Sequence, residues 1–131
     1  MEHCDDALRY IDLCNSEDAE CAIEFVEALD EGARVANFAQ RDIPLNDNDV
    51  LCIASSVRQL GEGAALRMIN LEENAFGLPG IQALLDAIEA NPFHFIRELR
   101  LGRNQLSDEA AVLIAHTLTK NGCGLKVLDL S

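Results

Sequence analysis

One apolar template recurs along the chain at intervals of 29 to 31 residues, and it constrains the fold more than any other feature. Its clearest copies are LRMINLEENAF at 66–76 and IRELRLGRNQL at 96–106. A looser copy starts at Val35, and the template opens once more at Leu125. Because the copies agree at many independent positions, the sequence predicts a repeat protein built from similar, stacked units.

Within each unit the apolar spacing predicts a short strand followed by a helix. The leading residues alternate as in a strand with one buried face. The trailing apolar quartets have the i, i+3, i+4, i+7 spacing of one helix face. They are Val50, Ile53, Ala54 and Val57; Ile81, Leu84, Leu85 and Ile88; and Ala111, Ile114, Ala115 and Leu118.

The ends of the predicted helices carry matching signals. Residue types favoured at an N-cap precede each helix, namely Asn46, Gly77 and Ser107. Residue types that stop a helix follow each one, namely Gly61, Pro92 and Gly122.

The N-terminal segment admits two interpretations. Leu8-x-x-Ile11-x-Leu13 fits the start of a divergent unit, whereas residues 5–14 would also form a short capping helix. No Pro/Gly/Ser-rich linker divides the chain, so we expect a single domain. Its predicted parts are an acidic N-terminal repeat or cap at 1–34, full units at 35–65, 66–95 and 96–124, and a truncated unit at 125–131.

The negative charge is concentrated at one end. The formal net charge is −13, and residues 1–33 hold eleven acidic side chains and one basic one. Such a charge argues against nucleic acid and anionic membrane as partners. The acidic end is interpreted first as a solubilising surface, and second as a docking patch for a basic partner.

The cysteines and the N-terminus favour the cytoplasm. No apolar run is long enough to span a bilayer, and the acidic start lacks the features of a secretory signal. The five cysteines are odd in number and lack C-x-x-C spacing, which favours reduced thiols over a disulfide among Cys4, Cys14 and Cys21.

The string Leu-x-x-Leu-x-Leu-x-x-Asn-x-Leu resembles the leucine-rich repeat signature, and units this long with a full helix resemble the ribonuclease-inhibitor subfamily. The resemblance implies an α/β fold, a right-handed solenoid with a parallel sheet on the concave side and helices on the convex side. Asn74 and Asn104 occupy the asparagine position, where a buried amide satisfies backbone groups as the chain leaves the strand. Ile43 takes that place in the first clear unit, so we expect the structural asparagine ladder to begin at Asn74.

The residues between the Leu positions are predicted to face the concave side, which parallel solenoids present to partners. The alternative is that their charges form exposed cross-strand pairs of little consequence. The candidate protein-binding residues are Arg41, Met68, Asn70, Glu72, Glu73, Glu98, Arg100, Arg103 and Asp129.

No constellation of catalytic or ligand-binding residues is found in the sequence. The chain has no phosphate-binding glycine loop, and His3, His94 and His116 fall at unrelated repeat positions. Cys52 is interpreted as a small core residue. The sequence therefore predicts no catalytic residue, no metal and no cofactor.

The predicted function is a non-catalytic module, an adaptor or scaffold that binds a protein partner. LEENAFGLPGIQALLDAIEAN at 71–91 is similar to the central repeat of tropomodulins and leiomodins, which implies an alternative role at actin filament pointed ends. Resemblance to Ran-type GTPase activators implies a third role. The chain stops within a predicted strand, so we also expect a piece of a longer repeat protein or self-association through the open edge.

Overall fold

The computed structural model describes residues 3–17, 19, 21–39, 41–61, 63–91, 96–104 and 106–118, and the backbone of 126–128. Within these residues the fold is mixed α/β, which confirms the predicted class. None of the helices described has the length and apolar character needed to cross a bilayer. The elements are α1 (Asp5–Ser16), α2 (Ile23–Glu31), β1 (Val35–Asn37), α3 (Asp47–Arg58), β2 (Met68–Asn70), α4 (Leu78–Ala90), β3 (Glu98–Arg100), α5 (Asp108–Leu118) and β4 (Lys126–Leu128).

The four strands form one parallel sheet in the order β1-β2-β3-β4. The 66–76 and 96–106 segments lie side by side and parallel, as the template predicts. The middle residue of each of the first three strands, Ala36, Ile69 or Leu99, is fully buried. The residues on either side of it are exposed or half-buried, so one face of the sheet packs on the core and the other stays open.

The strand register differs from the template alignment at both ends. Val35 pairs with Met68 rather than lying level with Leu66, a shift of two residues that puts Phe38 level with Leu71. The apolar residues around β1 are compatible with either register. The observed register places the centroid of the Phe38 ring 5.8 Å from that of the Phe25 ring in the core. At the other end Val127, not Leu128, pairs with Leu99.

The N-terminal segment is helical, which decides between the two interpretations. α1 begins after Cys4, whose Sγ accepts a hydrogen bond from the Ala7 N–H, and Asp5 and Asp6 in its first turn suit the helix dipole. The Tyr10 ring packs edge-on against Phe25 of α2 with centroids 4.7 Å apart. Its hydroxyl accepts a hydrogen bond from the Ala22 N–H at 2.9 Å.

The predicted buried faces are confirmed for α3 and α4, whereas for α5 only Ile114 of the predicted four residues is buried. α3 packs against α1 and α4, and α4 packs against α3 and α5. Among the described elements, α5 packs mainly against α4. Its buried residues are Ala110, Ile114 and Thr117, and the first two belong to the hydrophobic core. The predicted Ala111 and Ala115 are exposed, and Leu118 is 39 % exposed.

The helix starts use two kinds of cap. Asn46 and Asp49 form a capping box at α3. α4 begins after Gly77, which has no side chain to cap with, and Asp47 of α3 does this work instead. Its Oδ1 accepts hydrogen bonds from the N–H groups of Gly77 and Gly80, both at 2.9 Å. The predicted stops Pro92 and Gly122 lie outside the described residues.

Candidate functional site: the open face of the sheet

The open face of the sheet is formed by the alternating residues of β1, β2 and β3 that point away from the core. We call this surface the strand face. Parallel pairing arranges it in two rows that run across the strands, with neighbours about 4.8 Å apart. The rows are Val35, Met68 and Glu98, and then Asn37, Asn70 and Arg100.

The first row of the strand face is apolar on β1 and β2, and both rows end in a charged residue on β3. Val35 is 45 % exposed and Met68 is half-buried beside it, so the first two strands offer apolar contact. On β3, Glu98 Oε2 lies 3.6 Å from Arg100 Nε. Both side chains are partly exposed, and a pair of this kind contributes little to stability, about 0–1 kcal/mol. Arg100 Nε is buried and has no hydrogen-bond partner in the residues described.

Two amides in the second row are oriented by the chain that follows them. Asn37 Oδ1 accepts a hydrogen bond from the Ala39 N–H at 3.0 Å, and Asn70 Oδ1 accepts one from the Glu72 N–H at 3.1 Å. These local turns fix both side chains at the ends of their strands. Their amide N–H groups have no hydrogen-bond acceptor among the residues described, so the row presents donors to a partner.

The turns after β2 and β3 hold one residue each in the left-handed region. These residues are Glu73, with φ 61°, and Arg103, with φ 57°. The conformation costs a non-glycine residue about 1–2 kcal/mol. Hydrogen bonds between neighbouring turns offset this cost: the Glu73 N–H, for example, donates to the Gly102 carbonyl at 2.9 Å. The two side chains form an exposed ion pair, with Arg103 Nη1 3.3 Å from Glu73 Oε1.

Asn74 and Asn104 connect these turns to one another. Asn74 Nδ2 donates to three carbonyls, those of Phe38, Leu71 and Glu72, and its Oδ1 accepts from the Leu45 N–H at 2.7 Å. Asn104 repeats the arrangement one unit on: its Nδ2 donates to the carbonyls of Leu71, Leu101 and Gly102, and its Oδ1 accepts from the Asn74 N–H at 3.1 Å. Each amide therefore ties its own turn to the preceding unit, as its place in the template predicts.

The structure brings most of the predicted binding residues to this region. Met68, Asn70, Glu98 and Arg100 lie on the strand face. The other three, Glu72, Glu73 and Arg103, lie in the turns at its carboxyl end. Asp129 lies outside the described residues.

Arg41 does not join them. Its guanidinium pairs with the Glu24 carboxylate of α2, and its Nε donates to the Ile43 carbonyl at 2.9 Å. The two-residue shift in β1 explains the error. Counted from the pairing of Asn37 with Asn70, Arg41 takes the place of the buried Asn74 instead of that of Glu72, so the prediction that Ile43 stands at the asparagine position is wrong as well.

Three arginines that the sequence analysis did not select precede β1, β2 and β3. They are Arg34, Arg67 and Arg97, which we call the arginine column. The Arg67 N–H donates to the Arg34 carbonyl and the Arg97 N–H to the Arg67 carbonyl, both at 2.7 Å. Aligning the units on the observed register would have revealed them, since each stands one residue before its strand.

Cys14 of α1 and Cys52 of α3 lie in the core and not on the strand face. Burial raises the pKa of Cys14 to about 12 and also raises the pKa of Cys52, so both remain neutral thiols at pH 7. In the part of the chain that the structure describes, no group of three or more His, Cys, Asp or Glu side chains could hold a metal ion.

Comparisons of the chain with protein-family models, with curated proteins and with solved structures found no match.

Proposed function

We propose that this chain is a leucine-rich repeat module of the ribonuclease-inhibitor-like type, a right-handed solenoid that binds another protein on its strand face. Three features support the repeat assignment: successive strands in one parallel sheet, a helix between each pair, and the asparagines that tie each turn to the previous unit. The module is a non-catalytic adaptor or scaffold. Cys4, Cys14, Cys21 and Cys52 are free thiols, which supports a cytoplasmic setting.

The observation that carries the binding proposal is the chemistry of the strand face. Val35 and Met68 offer apolar area, the amides of Asn37 and Asn70 offer hydrogen-bond donors, and Arg100 beside Glu98 offers charge. Interfaces between proteins combine these same three elements. The backbone beneath them is held by paired strands and the asparagine bonds, so a partner would meet a surface already ordered for contact.

A pair of matched substitutions tests this proposal. Asn70→Arg places a long cation in the middle of the strand face, and Gln82→Arg places the same side chain at an exposed position on α4. Each purified variant is used to capture proteins from an extract of the cells that make the chain, and the captured set is compared by mass spectrometry.

We expect the Asn70→Arg chain to lose a protein that the unchanged chain and the Gln82→Arg chain both retain. Loss through Gln82→Arg with retention through Asn70→Arg would move the binding site to the helices. Equal capture by all three chains would refute the proposed use of the strand face.

A further inference from the structure

We propose that Cys14 and Cys21 are a peroxide-sensitive pair of thiols, which a hydroperoxide converts into a disulfide while the protein stays folded. The pair joins the end of α1 to the segment that leads into α2, and the inference does not depend on the strand face. The fold brings three free thiols together at this place, those of Cys14, Cys21 and Cys52.

The chain returns to α1 directly after this helix ends. The Ala19 N–H donates to the Cys14 carbonyl at 2.9 Å, which begins the reversal. Two residues later, Cys21 Sγ lies 4.0 Å from the Ile11 carbonyl oxygen. Because Ile11 and Cys14 are three residues apart, they lie on the same side of α1. Cys21 therefore stands beside Cys14, and the two thiols are hydrogen-bonded to each other.

The thiols differ in their access to a dissolved oxidant. Cys14 is fully buried and Cys52 is 3 % exposed, whereas Cys21 is only half-buried. Cys4 is exposed as well, but it precedes α1 at the opposite end, about 15 Å along the helix axis from Cys14. An oxidant in solution thus reaches the group of three through Cys21, and Cys4 is too distant to take part.

Cys14 is the thiol placed to attack an oxidised Cys21. Cys14 is hydrogen-bonded to the thiols of both Cys21 and Cys52, so it is the neighbour of each. A disulfide requires Cα atoms about 4.4–6.8 Å apart. Cys21 stands in an irregular segment, which adjusts to this distance more readily than the packed helices α1 and α3 that hold Cys14 and Cys52.

The oxidation has two steps, with hydrogen peroxide as the simplest oxidant. First, the Cys21 sulfur releases its proton and attacks one peroxide oxygen; the O–O bond breaks, an S–OH group forms, and the departing hydroxide takes up a proton to become water. Second, the Cys14 sulfur releases its proton and attacks the Cys21 sulfur; the S–S bond forms, the S–O bond breaks, and a second water leaves. The two thiols lose two electrons, which reduce one peroxide to two waters.

The Tyr10 hydroxyl assists the second step. Its oxygen accepts a hydrogen bond from the Ala22 N–H, and the hydroxyl is also hydrogen-bonded to the Cys14 thiol, to which it can donate its proton. A donor at sulfur stabilises the thiolate, which is the attacking form. Burial raises the pKa of Cys14 to about 12, and the hydrogen bond from Tyr10 opposes that rise.

The test treats the folded protein with a small excess of hydrogen peroxide and then alkylates the remaining thiols in urea. A protease that cuts after glutamate separates Cys14 from Cys21, so mass spectrometry without reduction detects their disulfide as two linked peptides. Dimedone, added in parallel samples, traps sulfenic acid. The proteins are the unchanged chain, Cys14→Ser, Cys21→Ser and Tyr10→Phe. Cys4→Ser removes an exposed thiol elsewhere and serves as the control. Circular dichroism checks that every variant keeps its fold.

We expect the peptides linked through Cys14 and Cys21 to accumulate at the same rate in the unchanged chain and in Cys4→Ser, while Cys52 stays reduced. A link between Cys14 and Cys52 in place of this one would overturn the proposal. Oxidation of Cys4 while Cys14 and Cys21 both remain thiols would also overturn it.

The variants separate the two steps. Cys14→Ser should accumulate the dimedone adduct at Cys21, and Cys21→Ser should leave Cys14 reduced under the same treatment. Tyr10→Phe should still form sulfenic acid at Cys21 but close the disulfide about tenfold more slowly, as expected for one lost hydrogen bond to a charged group. A dimedone adduct at Cys14 in the Cys21→Ser chain would contradict the order of the steps. An unchanged rate of closure in Tyr10→Phe would contradict the part assigned to Tyr10.

Discussion

Asn74 and Asn104 each form four side-chain hydrogen bonds in the turns after the strands, and Asn74 is the more deeply buried of the two. Asn74 is 6 % exposed, and its amide forms hydrogen bonds with three carbonyls and one N–H in the turns, beyond the ends of the paired strands. Removing it leaves those buried groups without partners, and each costs about 1–3 kcal/mol if water cannot replace the amide. The residue is therefore structural, although it stands next to the candidate binding residues.

We predict that Asn74→Ala lowers the free energy of unfolding by about 2–4 kcal/mol, measured by urea denaturation. Asn48→Ala, at an exposed position on α3, is the matched control and should change it by less than about 0.5 kcal/mol. Equal effects of the two substitutions would show that the hydrogen bonds of Asn74 do not hold the turns.

Gly80 is required because Asp47 approaches it so closely. A Cβ at this position would lie 2.9 Å from Asp47 Oδ1 and 3.3 Å from Phe76. Alanine is otherwise favoured over glycine in a helix by about 1 kcal/mol. We predict that Gly80→Ala nonetheless destabilises the fold, by about 1–2 kcal/mol, because it displaces the carboxylate that caps α4.

A double-mutant cycle separates the two effects of Gly80→Ala. In an Asp47→Ala background the same change should be neutral or stabilising, since the cap is already gone. Gly63→Ala, with no atom within 4 Å of the added Cβ, serves as the control. The same loss from Gly80→Ala in both backgrounds would contradict the role given to Asp47.

The thiols should differ in reactivity according to burial. Cys4 is exposed, whereas Cys14 and Cys52 are buried and have raised pKa values, so near pH 7 they hold almost no thiolate. With iodoacetamide under native conditions we predict that Cys4 is alkylated first and that Cys14 and Cys52 react only when the protein unfolds. Peptide mass spectrometry over time would record the order. Alkylation of Cys14 as fast as that of Cys4 would contradict the packing of α1.

Among the elements, the strands and helices of the two clearest units could be predicted from the sequence because several independent signals coincide there. Leu66, Ile69 and Leu71 alternate, Asn74 follows, and the apolar face of α4 has helical spacing. The register of β1 could not be predicted, because apolar residues at 33, 35, 36 and 38 fit the template in two settings. Packing of Phe38 on Phe25, which are distant in sequence, selects one of them.

The buried face of α5 could not be predicted for a different reason. Periodicity shows that a helix has an apolar face, but the neighbours that cover it determine which residues of a broad face are buried. Ala110 and Ala111 are chemically identical, yet only Ala110 is buried. The cap that Asp47 supplies to α4 is likewise a contact between elements. The sequence indicated it only indirectly, because the glycine at position 77 has no side chain that could cap the helix.

A matched pair of substitutions tests the observed orientation of α5. Ala110→Lys forces a charged chain into a fully buried position and should lower the free energy of unfolding by about 2–4 kcal/mol. Ala115→Lys, at an exposed position of the same helix, should change it by less than about 0.5 kcal/mol. Chemical denaturation of both variants gives the comparison. The orientation predicted from periodicity alone requires Ala115→Lys to be the more damaging change.

At the scale of the whole molecule, the sheet separates two kinds of surface. The helices and their connections cover its apolar side, while the strand face, the turns at one end and the arginine column at the other remain open. The candidate site could be predicted from alternation alone on β2 and β3. Arg67 and Arg97 align in the two clearest copies of the template, but Arg34 joins them only once the register of β1 is known, so the column of three was missed.

The central claim is that a protein partner contacts the strand face and not the helices. A photo-activated benzophenone amino acid can replace Val35, which is 45 % exposed on the strand face, or Val112, which is 69 % exposed on α5. Both are exposed valines, so the two probes differ in location rather than in local chemistry. After irradiation in an extract of the parent cells, we predict a discrete crosslinked product from position 35 and none from position 112. A product from position 112 with none from position 35 would contradict the account.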